Sequence, residues 1–174
     1  MASIQVRSLR QLGEREIQQL SDVLIDCVEG GASVSFMLPI ARSTAVAFWQ
    51  SVATGVARGE RVLLVAQDAE GSITGTVQII FAQAENQPHR ADIAKMLVHR
   101  RARRHGAGAA LLAAAENAAR EAGRTLLVLD TASGDAERLY ARLGWQRCGV
   151  VPDYALLPGG GFCDTTFFFR VLRE

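Results

Sequence analysis

The chain has 174 residues, 49% of them apolar, and its 19 Lys and Arg against 18 Asp and Glu give a net charge of +1. That length and composition predict one domain with a core of its own and exclude a disordered chain, which would be poorer in apolar residues. The balanced charge argues against a general nucleic-acid binder, and the lack of about 20 consecutive apolar residues argues against a membrane span.

Hydrophobic periodicity and turn residues predict the order of helices and strands. The predicted elements are a strand at 3–9, helices at 14–28 and 43–59, strands at 61–66, 73–81 and 90–98, a helix at 108–122, a strand at 125–130, a helix at 135–143, and strands at 145–151 and 163–172. Turn residues at 68–72 make the first two central strands a hairpin, and the Ala- and Leu-rich composition of 108–122 favours a helix by propensity. The order predicts one mixed α/β domain over residues 1–174.

The cysteines and the first residues bear on the cellular compartment. Cys27, Cys148 and Cys163 are odd in number and far apart, a pattern typical neither of a disulfide framework nor of a zinc site. Free thiols fit a reducing cytosol, and residues 1–7 lack the charged start and apolar stretch of a signal peptide. We therefore expect a cytoplasmic protein without a bound metal ion.

Two segments outside the predicted helices and strands are candidates for lining a pocket. Phe36 and Met37 lie in the apolar but irregular stretch 32–39. Tyr154 lies in the loop expected at 152–161, before the last strand. Apolar side chains in irregular loops often line binding sites, so these three residues are predicted to contact a substrate.

The stretch from Met96 to Leu111 carries the clearest chemical signal. A strand runs through an Arg-rich loop containing Gly106 and Gly108 into the Ala-rich helix. A helix start offers unpaired backbone amides and the positive end of the helix dipole, and glycine lets the backbone approach an anion. This arrangement favours binding of phosphate or pyrophosphate. Alternatively, the glycines serve only to shape a turn, and the arginines form a solvated surface. The spacing matches neither a P-loop nor the three-glycine dinucleotide pattern.

The same stretch resembles a known family. Arg103-Arg104-His105-Gly106-Ala107-Gly108 is similar to the Gln/Arg-x-x-Gly-x-Gly/Ala signature of the GNAT superfamily of acetyl-CoA-dependent N-acetyltransferases, and it lies, as in that family, between a strand and a long helix. Residues 136–145 resemble the family's Ala-x-x-Leu/Phe-Tyr-x-x-x-Gly-Phe/Trp segment. The likeness covers about residues 60–172. It implies a mixed, mostly antiparallel sheet of about seven strands flanked by about four helices.

A narrower resemblance is to tabtoxin-resistance acetyltransferases, which acetylate the amino group of a β-lactam dipeptide-like toxin. The residues that carry it are 30–37, 95–98, 129–131 and 152–155. Two departures limit it: the loop 130–140 is one residue shorter, and Asp92 stands where Glu is expected. Both departures bear on the acceptor more than on the acetyl-CoA site.

The family resemblance implies acetyl-CoA as cosubstrate and assigns its contacts. Met96, Leu97 and Val98 would pair with pantetheine like an added strand and aim an amide at the acetyl carbonyl, where a donor stabilises an oxyanion. Tyr140 matches the tyrosine that acts as general acid on the CoA thiolate. The alternative is that Tyr140 only packs against neighbouring side chains of its helix. The pyrophosphate would be held by the loop and helix start, namely Arg103, Arg104, His105, Gly106, Ala107, Gly108 and Ala109.

Asp92 and Asp130 are the candidate bases. Period-2 alternation places Asp92 on one strand face with Ala94, Met96 and Val98. Asp130 ends an apolar strand, where ligands of α/β sheets tend to gather. Either carboxylate could accept the amine proton, bind the substrate ammonium or cap a turn, and a water chain could serve as the base instead.

The sequence thus predicts an N-acetyltransferase that works by direct attack in a ternary complex. The expected acceptor is the primary amine of a small molecule, such as a toxin or an antibiotic, with neither nucleic acid nor membrane as a partner. A monomer and a homodimer are both compatible with the sequence. The alternatives are a non-catalytic acyl-CoA-binding sensor domain and an enzyme that acetylates proteins or peptides.

Overall fold

The computed structural model describes residues 4–172, which form one seven-stranded sheet with four α-helices. In chain order the elements are β1 (Gln5–Ser8), α1 (Glu14–Glu29), α2 (Arg42–Ala57), β2 (Arg61–Gln67), β3 (Ile73–Phe81), β4 (Arg90–Val98), a 3₁₀ turn (Arg100–Ala102), α3 (Ala107–Glu121), β5 (Leu126–Thr131), α4 (Gly134–Arg142), β6 (Gln146–Leu156) and β7 (Phe162–Val171). The strand order is β1-β2-β3-β4-β5-β7-β6, and β4–β5 is the parallel pair of an otherwise antiparallel sheet. Within residues 4–172, no helix is long and apolar enough to cross a membrane.

The helices cover both faces of the sheet. Strand alternation along β2 sends Leu64 to the face covered by α3 and Leu63 to the face covered by α1 and α2. The apolar stripe of α3 includes Leu111 and Leu112, both fully buried, and Trp49 of α2 is fully buried on the other face. Burial of each such side chain stabilises the fold by about 1.5–3 kcal/mol. The mixed, mostly antiparallel architecture expected from the sequence is confirmed.

A β-bulge interrupts β4 in its second half. Thr76 of β3 pairs with Leu97, whereas Gln78, two residues further, pairs with Ala94, so β4 has one residue more than its partner there. Lys95 lies in the bulge with a φ of 48°. An extra residue of this kind reverses the alternation of side chains beyond it.

The bulge overturns one expectation about β4. Ile93 packs in the α3 core, but Leu97, four residues later, packs in the α1–α2 core. Met96 and Val98 therefore lie on the α3 side, where they contact that core. The prediction that Asp92 shares a face with Met96 and Val98 is wrong, because simple alternation does not pass through the bulge.

The parallel strands β4 and β5 separate soon after they begin. They pair over Arg90–Asp92 and Leu126–Val128, and no pairing follows. The rest of β4 therefore presents an edge of backbone amides and carbonyls towards β5 that the sheet leaves unpaired. A gap opens between the carboxyl halves of the two strands.

The structure corrects two predicted boundaries. The first half of the loop expected at 152–161 is strand: β6 runs on to Leu156, and a tight turn follows in which the amide of Gly160 donates to the carbonyl of Leu157 at 2.9 Å. Pro152 is tolerated because β6 is an edge strand whose pairing is irregular between Val151 and Ala155. Ser43, the expected cap of the second helix, lies in its first turn. The start expected for the first strand at residue 3 lies outside the described residues.

Candidate active site

A cleft of about 1100 Å³ opens where β4 and β5 separate. Its walls are the free edge of β4, the start of α3, one face of α4, the α1–α2 loop and the β6–β7 hairpin. Fourteen of the predicted site residues line it: Phe36, Met37, Met96, Leu97, Val98, Arg103, Arg104, Gly106, Ala107, Gly108, Ala109, Asp130, Tyr140 and Tyr154. Of the predicted residues, His105 and Asp92 do not line it. The structure thus brings residues from five separate stretches of the chain together.

The start of α3 is shaped to receive an anion. The first bond of the helix ladder runs from the amide of Ala110 to the carbonyl of Gly106 at 3.0 Å, which leaves the amides of Ala107, Gly108 and Ala109 outside the ladder. The first turn contains no acidic side chain. Free amides at the positive end of a helix are a common phosphate site.

Glycine is required at Gly106 and at Gly108 for different structural reasons. Gly106 is the N-cap of α3 with a φ of 86°, a conformation that favours glycine, and a Cβ built on it meets nothing within 4 Å. Gly108 has ordinary helical geometry, but a Cβ there would lie 3.1 Å from Cδ2 of Leu139 on α4. Gly106 therefore sets the direction of the chain, and Gly108 lets α3 and α4 approach each other beside the cleft.

Two arginines of the loop are bound to the protein itself. Arg103 donates through Nε to the carbonyl of Val98 at 3.0 Å. Arg100 donates its amide and its Nε to the carboxylate of Asp26 on α1, at 2.8 and 3.0 Å. Burial raises the pKa of Asp26, but the hydrogen bonds from Arg100 and the charges of His99 and Arg100 outweigh it and hold the pKa below its ordinary value. Sequence reasoning missed Asp26, which anchors the loop to the helix layer.

Tyr140 is buried at the floor of the cleft. It is 4% exposed, and its ring packs against Trp145 and Phe168 with centroids 5.9 and 5.7 Å apart. Burial, with the negative charge of Asp130, raises the pKa of Tyr140 to about 12. The phenol therefore holds its proton at neutral pH and can donate it. Tyr140 thus both packs in the core and lines the cleft.

The two candidate carboxylates have different surroundings. Asp130, near the end of β5, lines the cleft, and its Oδ2 accepts a hydrogen bond of 2.8 Å from the hydroxyl of Thr165 on β7. Asp92 lies in the paired half of β4 and forms an ion pair with Arg90. The geometry therefore supports Asp130 as a site residue and gives no support to Asp92.

The α1–α2 loop and the β6–β7 hairpin meet above the cleft. The hydroxyl of Ser33 donates to the carbonyl of Leu156 at 3.0 Å, and the amide of Leu38 donates to the carbonyl of Pro158 at 2.9 Å. Phe36, beside this junction, packs edge-on against Phe48 with centroids 5.3 Å apart. The cleft is thus bridged on the side where Phe36, Met37 and Tyr154 lie.

Lys95 is a cleft residue that sequence reasoning did not single out. It lines the cleft from the β4 bulge, and its Nζ donates to the hydroxyl of Ser35 at 3.0 Å. Burial lowers the pKa of Lys95, whereas the charge of Asp130 raises it. Its one signal in the sequence is that it is the single lysine among 19 basic residues. Among residues 4–172, no three His, Cys, Asp or Glu side chains gather as they would around a metal ion.

Comparisons with known proteins agree with this geometry. A family model described as an acetyltransferase (GNAT) domain matches residues 58–147. An uncharacterized N-acetyltransferase of Azospirillum brasilense, from the hisH-hisA intergenic region, is 30% identical over 132 residues, which cover 75% of this chain and 76% of that protein.

Solved structures share the fold. The protein yncA of Salmonella typhimurium, solved with its cofactor acetyl-CoA, has a TM-score of 0.78 and 19% identity, covering 98% of this chain and 95% of that one. The phosphinothricin acetyltransferase Pat of Sinorhizobium meliloti, solved in complex with AcCoA, has a TM-score of 0.80 and 18% identity, covering 99% of this chain and 89% of that one. At these identities the likeness concerns the fold, and it confirms the predicted α/β arrangement.

Proposed function

Because this chain belongs to the GNAT family of acetyltransferases, we propose that it transfers the acetyl group of acetyl-CoA to the primary amine of a small molecule. Membership in that family makes it an acyltransferase, which sets aside the alternative of a non-catalytic sensor. The observation that carries the proposal is that one cleft holds the free amides of α3, the unpaired edge of β4, Tyr140 and Asp130.

The cleft fits acetyl-CoA as an extended, highly anionic molecule. The amides of Ala107, Gly108 and Ala109 would hold its pyrophosphate. The edge of β4 over Met96–Val98, which β5 leaves unpaired and where the Val98 carbonyl accepts from Arg103, would pair with pantetheine in the manner of an added strand. Two structural neighbours contain acetyl-CoA, which supports the same donor here.

Tyr140 and Asp130 would divide the proton transfers of the reaction. The neutral amine forms a bond to the acetyl carbon, the bond between that carbon and sulfur breaks, and the electron pair stays on the CoA sulfur. The nitrogen, which is positively charged after the attack, gives up a second proton, which restores the phenol of Tyr140 directly or through water. Tyr140, which keeps its proton at neutral pH, donates it to the departing thiolate; its raised pKa makes it a weaker acid than a free phenol, so its position beside the sulfur carries this role. Asp130 takes the proton of the incoming ammonium, directly or through water, or holds that ammonium by charge.

The bridged cleft supports a small acceptor over a protein. A peptide segment that enters the acceptor side would need an open groove between the α1–α2 loop and the β6–β7 hairpin. The hydrogen bonds Ser33–Leu156 and Leu38–Pro158 join these two segments, which favours a small acceptor. A toxin or an antibiotic, as the likeness to tabtoxin-resistance enzymes implies, falls in this class.

A CoA-release screen tests the proposal. The purified protein is incubated with acetyl-CoA and panels of small amines, amino acids, dipeptides, longer peptides and proteins, and free thiol is measured. We expect release with small amines and little with long peptides or proteins. Calorimetry with acetyl-CoA confirms that the donor binds. Release confined to protein acceptors would contradict the small-molecule proposal and favour the protein-acetylating alternative.

A further inference from the structure

We propose that Lys95 forms a carboxylate-binding subsite in the acceptor half of the cleft, so that the preferred acceptor is an amine that also carries a carboxylate. The inference rests on the proposed function and specifies its substrate class. A free amino acid or a dipeptide is the simplest molecule of this kind.

The bulge in β4 places the Lys95 side chain in the cleft. Without the extra residue, alternation would put Lys95 on the same face as Ala91 and Ile93, which are buried in the α3 core. A charge in that core would be costly. With the bulge, Nζ instead reaches Ser35 of the α1–α2 loop and lies 5.9 Å from the ring centroid of Phe48. A non-glycine residue with a φ of 48° is uncommon, and bulges near active sites re-aim side chains.

The ammonium of Lys95 has donors to spare. Its hydrogen-bond partner is the neutral hydroxyl of Ser35, while an ammonium offers three donors. Among residues 4–172, no carboxylate lies within 4.0 Å of its Nζ, although ten other pairs of basic and acidic groups do meet at that distance. A half-buried cation with a neutral partner gains more from an incoming anion than a solvated one does, because burial weakens the competition from water. The lowered pKa of Lys95 reflects the same burial.

The position of Lys95 favours the acceptor over the phosphates of acetyl-CoA. The phosphate-binding amides lie at the start of α3, beyond the carboxyl end of β4. Lys95 lies three residues before that end, and it contacts the α1–α2 loop that also holds Phe36 and Met37. Asp130 lines the same cleft with the opposite charge. One acceptor that carries an ammonium and a carboxylate would match both groups.

Matched acceptors test the inference directly. Amino acids and dipeptides with a free carboxylate are compared with the same molecules as carboxamides, and kcat/KM for CoA release gives an acid-to-amide ratio. We expect the wild type to favour the acids by at least about tenfold, since charge-assisted hydrogen bonds are among the stronger polar contacts. Lys95→Met should lower that ratio by at least about tenfold, chiefly through KM for the acids. Lys95→Arg should keep part of the preference.

Arg58→Met is the matched control, because it removes the same charge from an exposed position outside the cleft. It should leave the ratio at the wild-type value. Circular dichroism and acetyl-CoA calorimetry on each variant separate a folding or donor-site defect from a loss of acceptor recognition. A wild type that acetylates amides as well as acids, or a Lys95→Met variant with an unchanged ratio, overturns the inference and leaves the proposed function standing. Acetyl-CoA binding without release from any small amine overturns the proposed function and the inference with it.

Discussion

The hydroxyl of Thr165 on β7 donates a hydrogen bond of 2.8 Å to Oδ2 of Asp130 on the neighbouring strand β5. Thr165 thereby orients the carboxylate that is proposed to receive the amine substrate. Thr165 is itself only 3% exposed, so packing around it restricts the orientation of its side chain. Asp130 also lines the cleft. Thr165 is accordingly a positioning residue for Asp130.

Loss of that hydroxyl should weaken the reaction without unfolding the protein. We expect Thr165→Val to lower kcat/KM for the amine about three- to tenfold, because Asp130 loses its orientation, and Thr165→Ser to restore it. Thr166→Val is the matched control, since Thr166 bonds to Glu137, which does not line the cleft. Equal effects of the two Val variants in steady-state kinetics would indicate a general disturbance of β7 instead.

Asp130 and Asp92 should differ sharply when each is replaced by Asn. Asp130→Asn removes a charge from the cleft and should reduce kcat/KM for the amine by at least about tenfold, or roughly 1.4 kcal/mol. Asp92→Asn breaks an ion pair with Arg90 outside the cleft and should change kcat/KM less than about twofold. Steady-state kinetics over a range of amine concentrations distinguish a KM effect, which indicates charge pairing, from a kcat effect, which indicates proton transfer. An Asp92 defect as large as that of Asp130 would return Asp92 to the site.

Tyr140→Phe tests the general acid. The ring, and with it the packing against Trp145 and Phe168, is retained. We expect kcat to fall about a hundredfold, the low end for a positioned acid, with little change in acetyl-CoA affinity. The measurement is kcat under conditions where chemistry limits the rate, with calorimetry for the donor. A Phe variant with wild-type kcat would leave Tyr140 with a packing role alone.

The same residue predicts how stability changes in alkali. The pKa of Tyr140 is about 12 in the folded chain against an ordinary value near 10. Between those values the unfolded chain loses a proton that the native chain keeps, so the free energy of unfolding falls as the pH rises from 10 to 12. The Phe variant lacks this contribution. Urea unfolding at pH 8, 10, 11 and 12 should show the wild type losing about 2–3 kcal/mol relative to Tyr140→Phe. Parallel curves for the two proteins would contradict the raised pKa.

Gly108 tests the approach of α3 to α4 beside the phosphate site. Its added Cβ would lie 3.1 Å from Cδ2 of Leu139, so the larger side chain of Gly108→Val displaces the Leu139 side chain and fills space beside the helix start. We expect acetyl-CoA binding to weaken at least about tenfold while circular dichroism stays native-like. Gly149→Val is the control, because a Cβ at Gly149 meets nothing within 4 Å. Unchanged donor affinity in a folded Gly108→Val variant would remove the helix start from the binding site.

The sequence by itself determined what depends on local order along the chain. Apolar periodicity, helix propensity and turn residues located the four α-helices and seven strands of residues 4–172, because these patterns are properties of neighbouring residues. The 3₁₀ turn at Arg100–Ala102 was not predicted. The motif at 103–108 and the segment around Tyr140 identified the family, since a strand, a glycine turn and a helix start follow one another directly in the chain. The helix capped by Gly106 was therefore predictable to within one residue.

The tertiary structure decided what depends on residues far apart in the chain. The bulge at Lys95 exists in the pairing of β4 with β3, and no local pattern marks it, so alternation wrongly grouped Asp92 with Met96. The bond from Thr165 to Asp130 joins positions 35 residues apart, and the anchoring of Arg100 by Asp26 spans 74. The bridge between the α1–α2 loop and the β6–β7 hairpin likewise forms only on folding. Local sequence sets which backbone conformation is favourable, whereas which side chains meet in the cleft is set by strand register and layer packing over the whole sheet.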